Sequence, residues 1–225
     1  ISDLRADDIH SLISTAIDSK DSGWVRLLEN KTLALLFEKP SLRTRVSFEV
    51  AMRQLGGQVI YLSPAEVGLG GRESVADVAQ VRSRYVDVIA ARTFSHQTIQ
   101  TLAAYSGVPI INALSDLEHP CQALADLLTI YEKKGELKGL TLAYIGDGNN
   151  VANSLLLAAA LVGINIRISS PAGYEIQDSV LKRAQQYSKK SGSEIMFLKE
   201  PRLAIFGADI VYTDVWTSMG QEAEA

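Results

Sequence analysis

A single cysteine among 225 residues leaves no partner for an internal disulfide, and Cys121 fits a reducing compartment. Long apolar runs are missing as well. The longest, Leu155 to Val162, falls well short of the roughly 20 residues that a spanning helix needs. No basic stretch leading into an apolar one opens the chain, so no secretory leader is expected within it. Neither sign of charge dominates: 22 basic residues face 26 acidic ones, giving a net charge of −4 and a pI near 5.4. No basic run is interleaved with aromatics, which excludes an ordinary nucleic-acid surface. The three histidines and the acids show no metal-ligand spacing, so no metal is expected. Repeats and low-complexity segments are absent too. What remains is a soluble, cytoplasmic type of globular chain. Its 47% hydrophobic content suffices for one large domain or two modest ones.

Periodicity supplies the organisation. Leu4, Ile9, Leu12, Ile13, Ala16 and Ile17 share a helical face, so 1–30 reads as a helical start. Short apolar runs then alternate with helical stripes. Strands are expected over 32–37, 58–62, 86–91 and 109–112, with helices after residue 41 and over 74–85 and 97–105. A long helix over 120–134 ends at Gly135 and is the candidate link between two domains, 1–134 and 135–225. The pattern then restarts, with strands at 140–145, 164–168, 195–198 and 209–212 and helices at 151–162, 179–190 and 201–206. Such alternation predicts parallel sheets with covered faces.

Three loops at strand ends carry polar chemistry. The first is Phe37-Glu38-Lys39-Pro40-Ser41-Leu42-Arg43-Thr44-Arg45, where Pro40 leaves the strand and Ser41 is placed to cap a helix. First-turn N–H groups, the hydroxyls of Ser41 and Thr44 and the guanidinium of Arg43 gather donors at the positive end of a helix dipole, which suits a phosphate or carboxylate. Arg43 and Arg45 lie about 200° apart on a helix, so Arg43 is assigned to an anion and Arg45 to a structural ion pair. The plain alternative is a capped surface helix with two solvated arginines. In the second loop, Pro120 suits the first helical position, which places His119 at the N-cap and Gln122 in the first turn. Arg92, at the end of its strand, is expected in the same region, because open parallel sheets bind ligands at strand carboxyl ends.

The third loop, Gly146-Asp147-Gly148-Asn149-Asn150, imitates a dinucleotide turn. Val151 nevertheless occupies the third glycine position, and Ile168-Ser169-Ser170 supplies no acid for a ribose, so the turn is read as nucleotide-free. That disfavours a nicotinamide-dependent oxidoreductase. Cys121, one step past Pro120 on an apolar-striped helix, reads as packing rather than a reactive thiol. His119 at a helix start is expected to be held neutral. His10 and His96 have no partner pattern and read as surface or loop residues.

Together the segment from Phe37 to Glu49, then Arg92, His119-Pro120-Cys121-Gln122, Gly146-Asp147-Gly148-Asn149-Asn150 and Asp214-Val215-Trp216-Thr217-Ser218-Met219-Gly220 resemble the ornithine carbamoyltransferases, within the aspartate/ornithine carbamoyltransferase superfamily. The motifs occur in order over nearly the whole chain, and the Ser218-Met219-Gly220 loop points to ornithine rather than aspartate. The resemblance implies two parallel-sheet α/β domains, a carbamoyl-phosphate domain and a Rossmann-like amino-acid domain, with the active site between them. It implies that Ser41, Leu42 (through its backbone), Arg43, Thr44 and Arg92 hold the phosphate of carbamoyl phosphate. His119 and Gln122 would reach the carbamoyl group, with Arg43, Thr44 and His119 stabilising the oxyanion. Asn150, Asp214, Ser218 and Met219 would hold ornithine.

Neither cofactor nor covalent intermediate is implied, and a homotrimer is the family expectation. Leu42 departs from the usual threonine and Gly68 from the usual glutamine. The sequence ends before the family's His-Cys-Leu-Pro loop and last helix, so the second domain is expected to be incomplete. Rival readings are a carbamoyltransferase for aspartate or a modified ornithine, and an inactive binding subunit that keeps the anion site.

Overall fold

A computed structural model describes residues 1–23, 25–63, 65, 68 and 73–214. The chain forms two compact units, Ile17–Glu118 and Ile1–Ala16 together with the chain from His119 onward. Each is built on its own four-stranded parallel sheet. This division by packing assigns the helix from Pro120 to the second unit. The boundary expected after residue 134 lies at the far end of that helix, whereas packing divides the chain at its start.

In the first unit, β1 (Thr32–Phe37), β2 (Gln58–Leu62), β3 (Val88–Arg92) and β4 (Ile110–Leu114) lie in the order β2-β1-β3-β4. β1 is interior, and its side chains alternate between two cores. Leu33, Leu35 and Phe37 pack with Met52 of α2 (Leu42–Gln54), while Ala34 and Leu36 pack with α3 (Val75–Arg82) and α4 (His96–Tyr105). On α2 the stripe that packs is Phe48 and Met52. Val46 and Val50, on the neighbouring stripe, remain exposed.

In the second unit, β5 (Thr141–Ile145), β6 (Asn165–Ser169), β7 (Ile195–Phe197) and β8 (Ile210–Thr213) take the order β7-β6-β5-β8. Its central helix α6 (Asn150–Val162) is buried almost all round, packed against α5 (Pro120–Lys134), α7 (Asp178–Ser191) and β6. This burial explains the long apolar run, because a helix with no polar face is a core helix when neighbours cover it. No helix among the described residues is long and apolar enough to cross a membrane. α8 (Pro201–Ile205) is one short turn before β8.

The chain's first residues are tied to α7, where Arg183 Nη2 donates to the Ser2 carbonyl at 2.6 Å. The expected 1–30 helix is shorter, as α1 runs Ala6–Ser22 and stops at Gly23, whose φ of 82° is the left-handed conformation of a helix end. The remaining elements fall where periodicity placed them, within three residues at either end.

Candidate functional site

Strand order fixes where ligands can enter. In β2-β1-β3-β4 the connections run outward in opposite directions from β1 and β3, and in β7-β6-β5-β8 the chain winds outward from β5 through β6 to β7 before β8 is placed on the other side of β5. At these reversals the loops diverge and leave a crevice at the strand carboxyl ends. Each unit brings sequence-predicted residues to its own reversal.

In the first unit Phe37 at the end of β1 is paired in register with Arg92 at the end of β3. The loop after β1 is pinned there. Glu38 N–H donates to the Arg92 carbonyl at 2.8 Å, and the Glu38 carboxylate accepts from Phe94 N–H at 2.7 Å. A register shift between Ala91 and Arg92 interrupts the ladder with β4, the kind of irregularity that re-aims a side chain. Arg92 is half-buried, and burial pulls its guanidinium pKa below the usual value.

From this anchor the chain turns into α2. Ser41 has the extended backbone of an N-cap, yet its hydroxyl caps nothing; it donates to Thr44 Oγ1 at 2.9 Å. Among the described residues the first-turn N–H groups of α2 therefore have no side-chain cap. That sets α2 apart from α3, α4, α6 and α8, whose N-caps Ser74, Ser95, Asn149 and Glu200 each accept such a bond. The N-caps of α5 and α7, His119 and Gln177, make no such bond either.

Arg43 is exposed at this open end and its guanidinium has no ion pair among the described residues, whereas Arg45 is engaged. Arg45 Nε lies 2.7 Å from Glu49 Oε1, the guanidinium sits 4.0 Å over the Tyr61 ring, and the Glu49 bond raises its pKa. The ion pair expected of Arg45 is present, and Arg43 is left exposed.

In the second unit the reversal joins Ile145 of β5 with Thr213 of β8, and Asp214 follows directly. Asn149 does two things there. Its Oδ1 accepts from Val151 and Ala152 N–H at 2.9 and 3.1 Å, capping α6, and its Nδ2 donates to Asp214 Oδ2 at 2.8 Å. Asn150 is the first residue of α6 beside this pair. Below Asp214, Tyr212 stacks on Tyr144 with centroids 5.8 Å apart, and the Tyr144 hydroxyl donates to the Asp147 carbonyl at 2.9 Å. Burial first, then nearby carboxylates, push both phenol pKa values well above their ordinary range, so these rings stay neutral.

His119 is the N-cap of α5, with Pro120 at the first helical position, and its N–H donates to Ser154 Oγ on α6 at 2.8 Å. Gln122 in the first turn donates Nε2 to Asp126 Oδ1 at 2.9 Å. Burial pushes the Cys121 thiol pKa up, which suits packing and not a nucleophile. Ser218 and Met219 lie outside the described residues. Among the described residues no group of three or more His, Cys, Asp or Glu side chains is arranged to hold a metal.

The dinucleotide-like turn is closed by the chain itself. A Cβ on Gly148 would meet Glu175 and Ile176 backbone atoms at 2.5 Å, and Gly148 N–H donates to the Tyr174 carbonyl at 2.6 Å. The backbone approach that a pyrophosphate would need there is taken by residues 174–176.

His96 corrects the sequence reading. It is half-buried at the start of α4, with Nδ1 2.8 Å from Ser115 Oγ and its N–H bonded to Asp116 Oδ1 at 2.7 Å. Its partners lie 19 and 20 residues away at the end of β4, beyond any local pattern. Asn149 and Asp126 were also missed. An Asn directly before an apolar run signals the first, and i, i+4 spacing from Gln122 the second.

Two parallel α/β units, each presenting polar groups at its own sheet reversal, define a two-domain α/β class. The chain belongs to the aspartate/ornithine carbamoyltransferase family. Residues 1–132 match its carbamoyl-phosphate-binding domain and residues 138–225 its Asp/Orn-binding domain. The ornithine carbamoyltransferase of Anoxybacillus flavithermus is 52% identical over 229 residues, covering 100% of this chain and 73% of that one. The solved ornithine carbamoyltransferase of Pyrococcus furiosus superposes with a TM-score of 0.95 at 50% identity, covering 100% of this chain and 73% of that one. The anabolic enzyme of Campylobacter jejuni gives 0.94 at 40% identity, covering 99% and 74%.

Proposed function

We propose that the chain moves the carbamoyl group of carbamoyl phosphate to the δ-amine of L-ornithine, giving L-citrulline and phosphate. The observation that carries this reading is the opposite charge gathered at the two reversals. One unit offers open helix N–H groups with Arg43 and Arg92, and the other an amide-held Asp214. A dianionic acyl phosphate suits the first, and the ammonium of an amino acid suits the second. In this reading Ser41, the Leu42 backbone, Arg43, Thr44 and Arg92 hold the phosphate, while His119 and Gln122 reach the carbamoyl group. Asn150, Asp214, Ser218 and Met219 hold the α-carboxylate and α-ammonium of ornithine.

The neutral δ-amine forms a bond to the carbamoyl carbon, and the carbonyl electron pair moves onto oxygen. Arg43, Thr44 and His119 stabilise that oxyanion, a kind of contribution worth about 3–4 kcal/mol per donor. The oxyanion collapses, the C–O bond to phosphate breaks with its electron pair leaving on phosphate, and the nitrogen passes its extra proton to that phosphate. Arg43 and Arg92 stabilise the departing charge. A homotrimer, a cytoplasmic location and a place in arginine biosynthesis belong to the same proposal, the last supported by relatives named anabolic.

The test is citrulline formation by the purified chain with both substrates, followed by a panel of ornithine, aspartate and a modified ornithine as acceptors. Turnover with aspartate in place of ornithine would overturn the acceptor assignment. Carbamoyl phosphate binding without any turnover would identify a binding subunit.

A further inference from the structure

Gln122 brings to the proposed site an ambiguity that every glutamine carries. Its amide has an accepting oxygen and a donating NH2 on two ends of the same shape. Asp126, one turn further along α5, removes the ambiguity. An ionised carboxylate only accepts, and Asp126 Oδ1 lies 2.9 Å from Gln122 Nε2, so the amide nitrogen faces Asp126 and the carbonyl oxygen is left for a ligand.

The Tyr212 hydroxyl on β8 also bonds this carboxylate, though the buried Oδ2 has no well-aligned partner among the described residues. Burial raises its pKa against the bonding from Gln122, so the fold tolerates this carboxylate rather than gaining from it. Features that are locally unfavourable persist where function needs them.

We propose that Asp126 is a positioning residue, which by binding the Gln122 amide nitrogen presents the Gln122 carbonyl oxygen to the N–H groups of a carbamoyl donor. The inference rests on the carbamoyl-transfer reading and adds a specificity to it. At this spot the chain selects an acyl phosphate that carries an NH2 over one that carries a methyl group.

Calorimetry with carbamoyl phosphate and with acetyl phosphate tests it, because acetyl phosphate has a similar shape and no N–H. Asp126→Asn keeps the volume but offers either amide end, so Gln122 is free to turn over. Carbamoyl phosphate affinity is expected to fall roughly tenfold and acetyl phosphate affinity to stay unchanged. Asp126→Ser should give the same selective loss, which keeps the test open if one variant folds poorly. In a Gln122→Leu background, Asp126→Asn should cost nothing further. Equal weakening of both anions, or a loss that persists without Gln122, would make Asp126 merely structural and overturn the proposal. A parent chain that binds neither anion would bring down the carbamoyl-transfer reading and this inference with it. A parent that binds carbamoyl phosphate, with Asp126→Asn keeping its preference, would overturn the inference alone.

Discussion

The helices that begin at the two sheet reversals, α2 and α6, each follow a strand and a loop in their own unit, and their first turns are treated oppositely. Ser41 turns its hydroxyl to Thr44 and leaves the first turn of α2 open beside Arg43. Asn149 fills the first turn of α6 with its own oxygen and fixes a carboxylate with its nitrogen. A helix start is electropositive in both cases. Only the unfilled one can offer its N–H groups to an anion, and the filled one becomes a platform for whatever its cap holds. The cap residue decides whether a helix start keeps its N–H groups open.

The largest effect should come from removing the free cation at the open end. Arg43→Ala is expected to lower the citrulline-forming rate by about 10³-fold or more. Its unfolding midpoint should stay put, since the side chain is exposed and unpaired among the described residues. Turnover like that of the parent would erase the distinction between the two units.

Next comes the closed end. Asp214→Asn should weaken ornithine binding by about 10- to 100-fold, the range for losing a charge-assisted hydrogen bond, and leave carbamoyl phosphate almost untouched. Equal losses for both ligands in calorimetry would argue against separate half-sites.

The pH profile sharpens the acceptor side. With an amine pKa near 10, only about 0.1% of free ornithine carries a neutral δ-amine at pH 7. kcat/KM for ornithine should therefore climb about tenfold per pH unit between pH 6.5 and 8.5. A flat profile would mean that the enzyme itself, and not the substrate, sets the protonation state.

A paired stability measurement addresses the caps directly. Asn149→Ala removes a working N-cap and should cost about 1–2 kcal/mol in urea unfolding, whereas Ser41→Ala removes none and should cost under about 0.5 kcal/mol. Comparable losses would mean that Ser41 caps α2 after all.

Smallest is a gain. Because burial raises the Asp126 pKa in the folded state, the fold binds that proton more tightly than the unfolded chain does. The ionised form thus costs stability at neutral pH, and the cost is relieved as pH falls through the folded pKa. Asp126→Asn should be slightly more stable than the parent at pH 7, with the gap closing on acidification. A less stable variant at neutral pH would show that the acid serves the fold.

Much of this was legible one residue at a time. The alternating runs fixed eight strands, Pro120 fixed the start of α5, and Gly135 and Gly163 closed α5 and α6 with φ near 80°. Arg43 was singled out by the donors gathered at a helix start and Arg92 by its place at a strand end, where parallel sheets put ligands, whereas Asp214 was singled out by the family resemblance. His96, Asn149 and Asp126 were harder. The first depends on Ser115 and the second on Asp214, contacts across 19 and 65 residues, and the third on recognising that a neighbour's amide needed orienting.

By itself the sequence determined which segments are strand, loop and helix, because hydrophobic period, proline and glycine act over a few residues. Tertiary structure alone decided which strand ends meet and which polar atoms they leave unsatisfied. Phe37 lies in register with Arg92 only because β3 inserts beside β1, and Asp214 is held only because β8 returns to β5. Hydrogen bonds between segments far apart in the chain are set by that ordering of strands, and local propensity has no means of encoding it.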